Sequence, residues 1–399
     1  MHNLNSDNNR NTHVLHIPIS LPLKGRKSAG TYIVDLLNEL NSSRYGLVCG
    51  VLHVNPVSFK GLLNRQRPSY LDKGFAVKVN NNYLLDEIFF KCDKRNSKKW
   101  VKATLSAFKE YVNKFGLPDI IHAHSGRGAG EVARLINEIY GIPYIVQEHN
   151  PVYLRKDALS FKEKEKLRLV YDASSFICPV SGSMVREIKK ITDCESKIKV
   201  TPNIVNDSFT FKNSDVDNFK FIVIGRLDEN KNIEMSIRAF HQATLKNTCV
   251  ATLNIYGQGH LHENLMCLIK KLQLETKVTL HGYHDKQTIA NELSSSACLL
   301  LSSHREPFGV PVLESLFCGC PVIASKSGGP EEISKNIDGI VLVDNNDIEA
   351  MTIEIGHKLK KPLSIGERKN ISDKAIGVYG KKQLTSMWNN MYVDSIKSR

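Results

Sequence analysis

The chain has 399 residues, 41% hydrophobic and 24% charged, with a mean hydropathy of −0.25. That is the composition of a soluble globular protein, long enough for two cores of about 200 residues each. No apolar run approaches the ~18–20 residues that cross a bilayer. The start, MHNLNSDNNRNT, lacks the basic-then-apolar pattern of a secretory leader, so residues 1–12 are expected to be a disordered lead-in and the address cytoplasmic.

The net charge of +13 is uneven: residues 1–205 hold 31 Lys and Arg against 19 Asp and Glu, whereas residues 206–399 hold 23 against 22. A basic first half suits either a solvated surface or an anionic partner such as an acidic membrane face or a phosphate-bearing lipid. No interleaving of aromatic and basic residues supports nucleic acid. The nine cysteines are odd in number and several sit in apolar runs, which excludes a disulfide framework. Cys318 and Cys320 form C-x-C without a zinc-spaced second pair, and are expected to be buried thiols.

In chain order, the first half alternates β-branched apolar runs with helical patterns. Strands are expected at 13–19, 47–54, 120–123, 144–147, 176–180 and 199–201, and helices at 31–40, 100–115, 130–140, 161–171 and 183–191. Such alternation predicts parallel sheets covered by helices. The boundaries expected are a first α/β domain over 13–205, a polar linker over 206–218, a second α/β domain over 219–380, and a last helix over 381–399 that returns to the first domain. Trp388, Met391 and Tyr392 on that helix fall at core spacing.

Ligands of open parallel sheets bind at the carboxyl ends of strands, so residues just after each strand carry the chemistry. Strand 120–123 leads into His122 and His124, and strand 144–147 into His149. Isolated histidines are usually satisfied core residues; two strands ending in them raise the prospect of a site. In the second half, FKFIVIGRLDENKN ends a strand at Gly225 and places Arg226 and Lys231 in the following loop, two cations able to neutralise a diphosphate. LNIYGQGHLHENL carries Gly257-x-Gly259, but His262 stands where a dinucleotide fingerprint needs its third glycine. VTLHGY sets Gly282 and Tyr283 on a turn.

The most informative segment is SSHREPFGVPVLESLFCGCPVIASKSGGPEEI, residues 302–333. It reads as strand, loop, helix from about Gly309, strand, glycine turn and helix. Pro311 suits a first helical turn, and the amides of Phe308, Gly309 and Val310 would form an anion seat. Glu306 and Glu314 flank that seat. Both would repel a phosphate, so each must meet something neutral and hydroxyl-rich.

This E-x7-E segment resembles that of retaining GT-B glycosyltransferases, glycosyltransferase family 4 in particular. The resemblance implies two Rossmann-like doubly wound domains facing across a cleft. It also implies that Glu306 contacts the transferred sugar, Glu314 binds ribose hydroxyls, and Arg226 and Lys231 grip the diphosphate. Gly225, Gly282 and Tyr283 fall near the nucleotide, His149 near the donor sugar, and Glu332 in the SGGPEEI continuation of the motif. The family's Gly-Gly pair after the first strand is missing; single glycines at Gly25 and Gly30 stand in KGRKSAGT, Gly30 expected toward the donor and Gly25, with His124, on the acceptor side, while the close approach to the donor phosphates is open to either glycine. Activity is expected to be sugar transfer from a nucleoside-diphosphate sugar to a glycan or lipid-linked acceptor, with no cofactor or metal, in cell-surface polysaccharide or lipopolysaccharide synthesis at the inner membrane face. Asp215 and Asp217 spell D-x-D, but within the polar linker. The competing readings are a nucleotide-sugar epimerase of the same fold, a glycosidase using Glu306 and Glu314, and a basic nucleic-acid-binding module.

Overall fold

The computed structural model describes residues 11–21, 30–56, 84–90, 98–155, 157–247 and 250–398. The chain divides into two compact units, one of Met1–Val180, Met184–Ile204 and Lys381–Arg399, the other of Ser181–Ser183 and Val205–Gly380.

The first unit holds strands β1 (Thr12–Pro18), β2 (Leu47–Pro56), β3 (Leu84–Phe90), β4 (Ile120–His124), β5 (Tyr144–Glu148) and β6 (Phe176–Pro179). They form one sheet in the order β3-β2-β1-β4-β5-β6 with every neighbouring pair parallel. Its helices are α1 (Thr31–Ser42), α2 (Lys98–Phe115), α3 (Glu131–Tyr140), α4 (Phe161–Ala173) and α5 (Gly182–Ile188). α4 opens on a capping box, Ser160 accepting from the Glu163 amide while the Glu163 carboxylate takes the Ser160 amide. β3 has no counterpart in the sequence expectation. Residues 199–201, expected as a strand, form none; Lys199 and Thr201 each donate one backbone hydrogen bond to β6, and the pairing amounts to a single parallel bridge between Ile198 and Ile177.

In the second unit, β7 (Asp217–Ile224), β8 (Thr252–Tyr256), β9 (Val278–Gly282), β10 (Ser296–Leu301), β11 (Val322–Ser325) and β12 (Ile340–Val343) order as β12-β11-β10-β7-β8-β9, again all parallel. Around them lie α6 (Ile233–Asn247), α7 (His262–Lys271), α8 (Lys286–Ser295), α9 (Val310–Phe317), α10 (Gly329–Ser334), α11 (Ile348–Lys360) and α12 (Ile365–Tyr379). β7 starts at Asp217, two residues earlier than expected, and Asp215 and Asp217 are both exposed at its start, away from its carboxyl end. α13 (Lys381–Lys397) belongs to the first unit, where Leu384, Trp388, Met391 and Tyr392 join Val14, Leu37 and Cys178 in one core. Burying each such large side chain stabilises by about 1.5–3 kcal/mol.

Both sheets have the doubly wound order in which the direction of strand addition reverses beside the first strand, between β1 and β4 and between β7 and β10. Those two switch points are where the loops diverge and leave room for a ligand. Cys318 and Cys320 are buried thiols, Sγ of each lying near a backbone carbonyl, and burial pushes Cys318 up to about 12.

Candidate active site

At the second switch point the loops after β7 and β10 are stitched together. The loop after β7 closes with a 3-10 turn, Glu229–Lys231, capped by Asp228, whose carboxylate accepts the Lys231 amide at 3.1 Å. Asn230 accepts the His304 amide through its carbonyl and donates its side-chain amide to the Arg305 carbonyl. Ser302 donates toward the carbonyls of Lys231 and Asn232 at 3.1 and 2.7 Å. The result fixes Lys231 over Glu306: Nζ lies 2.5 Å from Oε2, with the two side chains 17% and 12% exposed. Ser303 Oγ lies 3.4 Å from the same carboxylate oxygen.

The backbone of Glu306 is held from the other side. Its amide donates to Ser327, its carbonyl accepts from Gly329, and a Cβ at Gly329 would fall 2.0 Å from the Phe308 carbonyl oxygen. Glu331, the neighbour of the expected Glu332, takes the amides of Ser327 and Gly328 and holds that turn. Gly309 then starts α9 at φ +94, a conformation that only glycine adopts freely, with Pro311 in the first turn. The first amides of a helix have no intrahelical acceptor and carry its positive dipole end, so the start of α9 faces an anion favourably. Glu314 lies one turn further on, half-buried.

Arg226 is placed differently. It is 69% exposed and pairs with Asp228 at 2.7 Å, so it flanks the Lys231–Glu306 pair through Asp228. Gly257 and Gly259 serve the same loop: a Cβ would fall 1.7 Å from the Gly225 carbonyl oxygen and 2.1 Å from that of Leu227, respectively. Gly225 donates to Tyr256, Leu227 to Gln258 and Gly257 to Gly282, a ladder running from the cationic loop across to the Gly282–Tyr283 turn. Tyr283 is exposed there and Gly282 has φ +77.

The first switch point carries imidazoles. His122 and His124 stack at 4.2 Å and 15°, and His124 and His149 at 6.0 Å and 18°. His16 on β1 lies 3.1 Å from His124 Nε2 through Nδ1, and His122 contacts Tyr392 and Gln147. Burial holds all four imidazoles below their usual value, His124 at about 3, so each is neutral near pH 7. His124 is only 3% exposed. Ring nitrogens of His16, His122 and His124 approach within 4.8 Å of one another. The near-parallel His122 and His124 planes keep their in-plane lone pairs from converging on one ion in these rotamers.

Gly30 starts α1 at φ +71 with its Cβ direction closed by the Ser20 carbonyl oxygen at 2.2 Å. Gly25 lies outside the described residues.

Residues 206–378 match the family model of glycosyl transferases group 1, and residues 71–209 match that of glycosyltransferase family 4. The chain is a family 4 glycosyltransferase with the GT-B fold. It is 27% identical over 248 residues to an uncharacterized glycosyltransferase of Methanocaldococcus jannaschii, covering 57% of this chain and 63% of that one. It is 29% identical over 204 residues to an N-acetylgalactosaminyltransferase of Campylobacter jejuni that acts on N-acetylgalactosamine-N,N'-diacetylbacillosaminyl-diphospho-undecaprenol, covering 49% and 54%. The matched stretch therefore spans little more than half of these relatives' own length. Among solved structures, Anabaena HepE in complex with UDP and glucose aligns with a TM-score of 0.70 and 16% identity over 96% of this chain and all of that one, a likeness of fold.

Within this family 4 transferase, motif spacing does not reach several residues that the geometry brings to the two sites. Asp228, Asn230, Ser302 and Ser303 build the floor under Lys231 and Glu306. In the first unit, Glu148 is fully buried and accepts the Gly126 amide and the hydroxyls of Tyr153 and Tyr171, and its pKa is raised by burial. It anchors the glycine-rich turn Gly126–Gly130 that follows β4. That turn has a sequence signal, HSGRGAG after a strand; His16 and Tyr32 have none, because their partners are distant in the chain.

Proposed function

We propose that the transferase moves a sugar from a nucleoside-diphosphate sugar to a glycan or lipid-linked acceptor, with retention of anomeric configuration and without a metal. The observation that carries this reading is the Lys231–Glu306 pair seated at the β7/β10 switch point beside the start of α9. A cation, a helix-start anion seat and a carboxylate within one loop cluster suit a ligand that is anionic at one end and hydroxyl-rich at the other.

In this reading the diphosphate lies against the Phe308–Val310 amides, with Lys231 and Arg226 neutralising the charge that grows as the bond from the anomeric carbon to the β-phosphate oxygen breaks. Such preorganised donors are each worth about 10²–10³ in turnover, which is the role a divalent ion fills in other transferases. Glu306 receives sugar hydroxyls, Glu314 the ribose, and the Gly282–Tyr283 turn meets the base. The acceptor oxygen bonds to the anomeric carbon on the face the diphosphate leaves, and its proton passes to the departing phosphate oxygen. Lys231 lies so close to Glu306 that this carboxylate is a poor covalent nucleophile, which favours the front-face route. Support for the donor class comes from the UDP and glucose of the HepE structure, and for a lipid-linked acceptor from the undecaprenol-linked substrate of the Campylobacter relative.

A cytoplasmic, membrane-peripheral site in cell-surface glycan synthesis completes the proposal. The basic first half, with 31 Lys and Arg against 19 Asp and Glu, supports it. Proton NMR of the product formed from UDP-glucose, UDP-N-acetylglucosamine, GDP-mannose and ADP-glucose tests the reaction. An α-donor should give an α-linked product; a β-linked product contradicts retention, and a free epimerised sugar nucleotide contradicts transfer.

A further inference from the structure

His149 leaves β5 half-buried; neither ring nitrogen makes a well-formed hydrogen bond among the described residues, and the Asn203 side chain is the polar group that interacts with the ring. An imidazole in a site is ordinarily oriented through a hydrogen bond to one nitrogen, which leaves the other to work. Here that device is reduced to a loose contact with Asn203, and ring packing adds the orientation it does not supply. The Tyr32 ring sits over His149 with centroids 4.3 Å apart and planes tilted by 40°, while His124 stacks on it at 6.0 Å and 18°.

The geometry points to Tyr32 as a positioning residue that sets the orientation of the His149 imidazole toward the sugar. The inference rests on the reading of His149 as the residue that meets the transferred sugar.

Tyr32 is well placed for this. It occupies the first turn of α1, whose start is locked onto the end of β1 by Gly30 packing against the Ser20 carbonyl. Burial and the nearby Glu148 carboxylate keep its phenol protonated, so it offers a neutral ring. His124, the second ring packed against His149, is itself held by His16. Packed against these rings, a neutral imidazole presents one N–H and one lone pair, and a sugar hydroxyl can meet either, as acceptor or as donor. Aromatic pairs of this kind contribute more than their buried area, and an error of about 1 Å at a reacting centre costs about 100-fold in rate.

The test uses the full chain with Tyr32→Phe, Tyr32→Leu, Tyr32→Ala and His149→Ala, assayed by nucleoside-diphosphate release from the four sugar nucleotides named above. Histidine-labelled NMR spectra run in parallel, the His149 signal being the one lost in His149→Ala. Tyr32→Phe should keep kcat within about threefold, whereas Tyr32→Leu and Tyr32→Ala should lower it about 10- to 100-fold with donor KM changed less than about threefold. The His149 signal should shift or broaden in the Leu and Ala variants and stay in place in Phe. Retained kcat and an unmoved signal in Tyr32→Leu and Tyr32→Ala, while His149→Ala loses activity, would overturn the inference alone. Wild-type turnover in His149→Ala would remove the reading beneath it. A loss in Tyr32→Phe as large as in Tyr32→Ala would assign the effect to the hydroxyl and refute positioning by the ring.

Discussion

Lys231 Nζ lies 2.5 Å from Glu306 Oε2, joining two residues 75 positions apart in one loop cluster. The pair is largely shielded from solvent, so each charge depends on the other. Removing one leaves an uncompensated partner, which is more damaging than removing both. Glu306→Gln and Lys231→Ala should each lower kcat by about 10²–10³. The double variant should fall by far less than the product of the two. Additive losses in this double-mutant cycle would show that the two side chains act on separate steps.

Asp228 caps the Lys231 turn and holds Arg226. Asp228→Ala should cost about 1 kcal/mol of stability in chemical denaturation, the usual loss of an N-cap, and raise donor KM more than it lowers kcat. An unchanged KM would mean that the position of Arg226 does not matter to donor binding.

Gly259→Ala places a methyl 2.1 Å from the Leu227 carbonyl oxygen, and no side chain can yield there because the obstacle is backbone. It should push the cationic loop away from its position and lower both stability and donor affinity. Gly366→Ala makes the contrast: nothing lies within 4 Å of that Cβ in α12, and the change should raise stability by about 0.5–1 kcal/mol without altering kinetics. A neutral Gly259→Ala would show that the loop adapts.

The four imidazoles at the first switch point set an acid limit on the first unit. Their pKa values are lowered in the fold, His124 to about 3, whereas in the unfolded chain they titrate near 6.5. Below about pH 6.5 the unfolded chain therefore binds more protons. Stability is full above that pH and is lost as pH falls toward the folded values, by up to about 1.4 kcal/mol per unit for each imidazole. The thermal midpoint should be lower at pH 5.0 than at pH 7.5, and His124→Asn should flatten that dependence. A midpoint indifferent to pH over this range would mean that the imidazoles protonate in place.

Fold and site were legible to different depths. Gly309, Pro311, Glu306 and Lys231 could be found in the sequence because a strand-loop-helix unit sets their roles locally, within a few residues of a strand's carboxyl end. β3 could not, since the sequence signal for an edge strand is weak and among the described strands β3 pairs only with β2. Residues 199–201 carried the pattern of a strand and met too little of β6 to become one. His124 was legible as a histidine at a strand end, but its contact with His16 on β1, 108 positions away, is encoded by no local pattern. Gly257 and Gly259 looked like ligand-binding glycines, and the structure gives them a second purpose in letting two backbones touch.

The central claim is that the diphosphate of a donor is bound at Lys231. Isothermal titration of the full chain with UDP, GDP and ADP, repeated with Lys231→Ala, addresses it directly. One nucleoside diphosphate should bind the wild-type chain at a single site, and Lys231→Ala should weaken that binding at least about tenfold, or ~1.4 kcal/mol. No binding of any of the three, or binding of equal strength in the variant, would contradict the account.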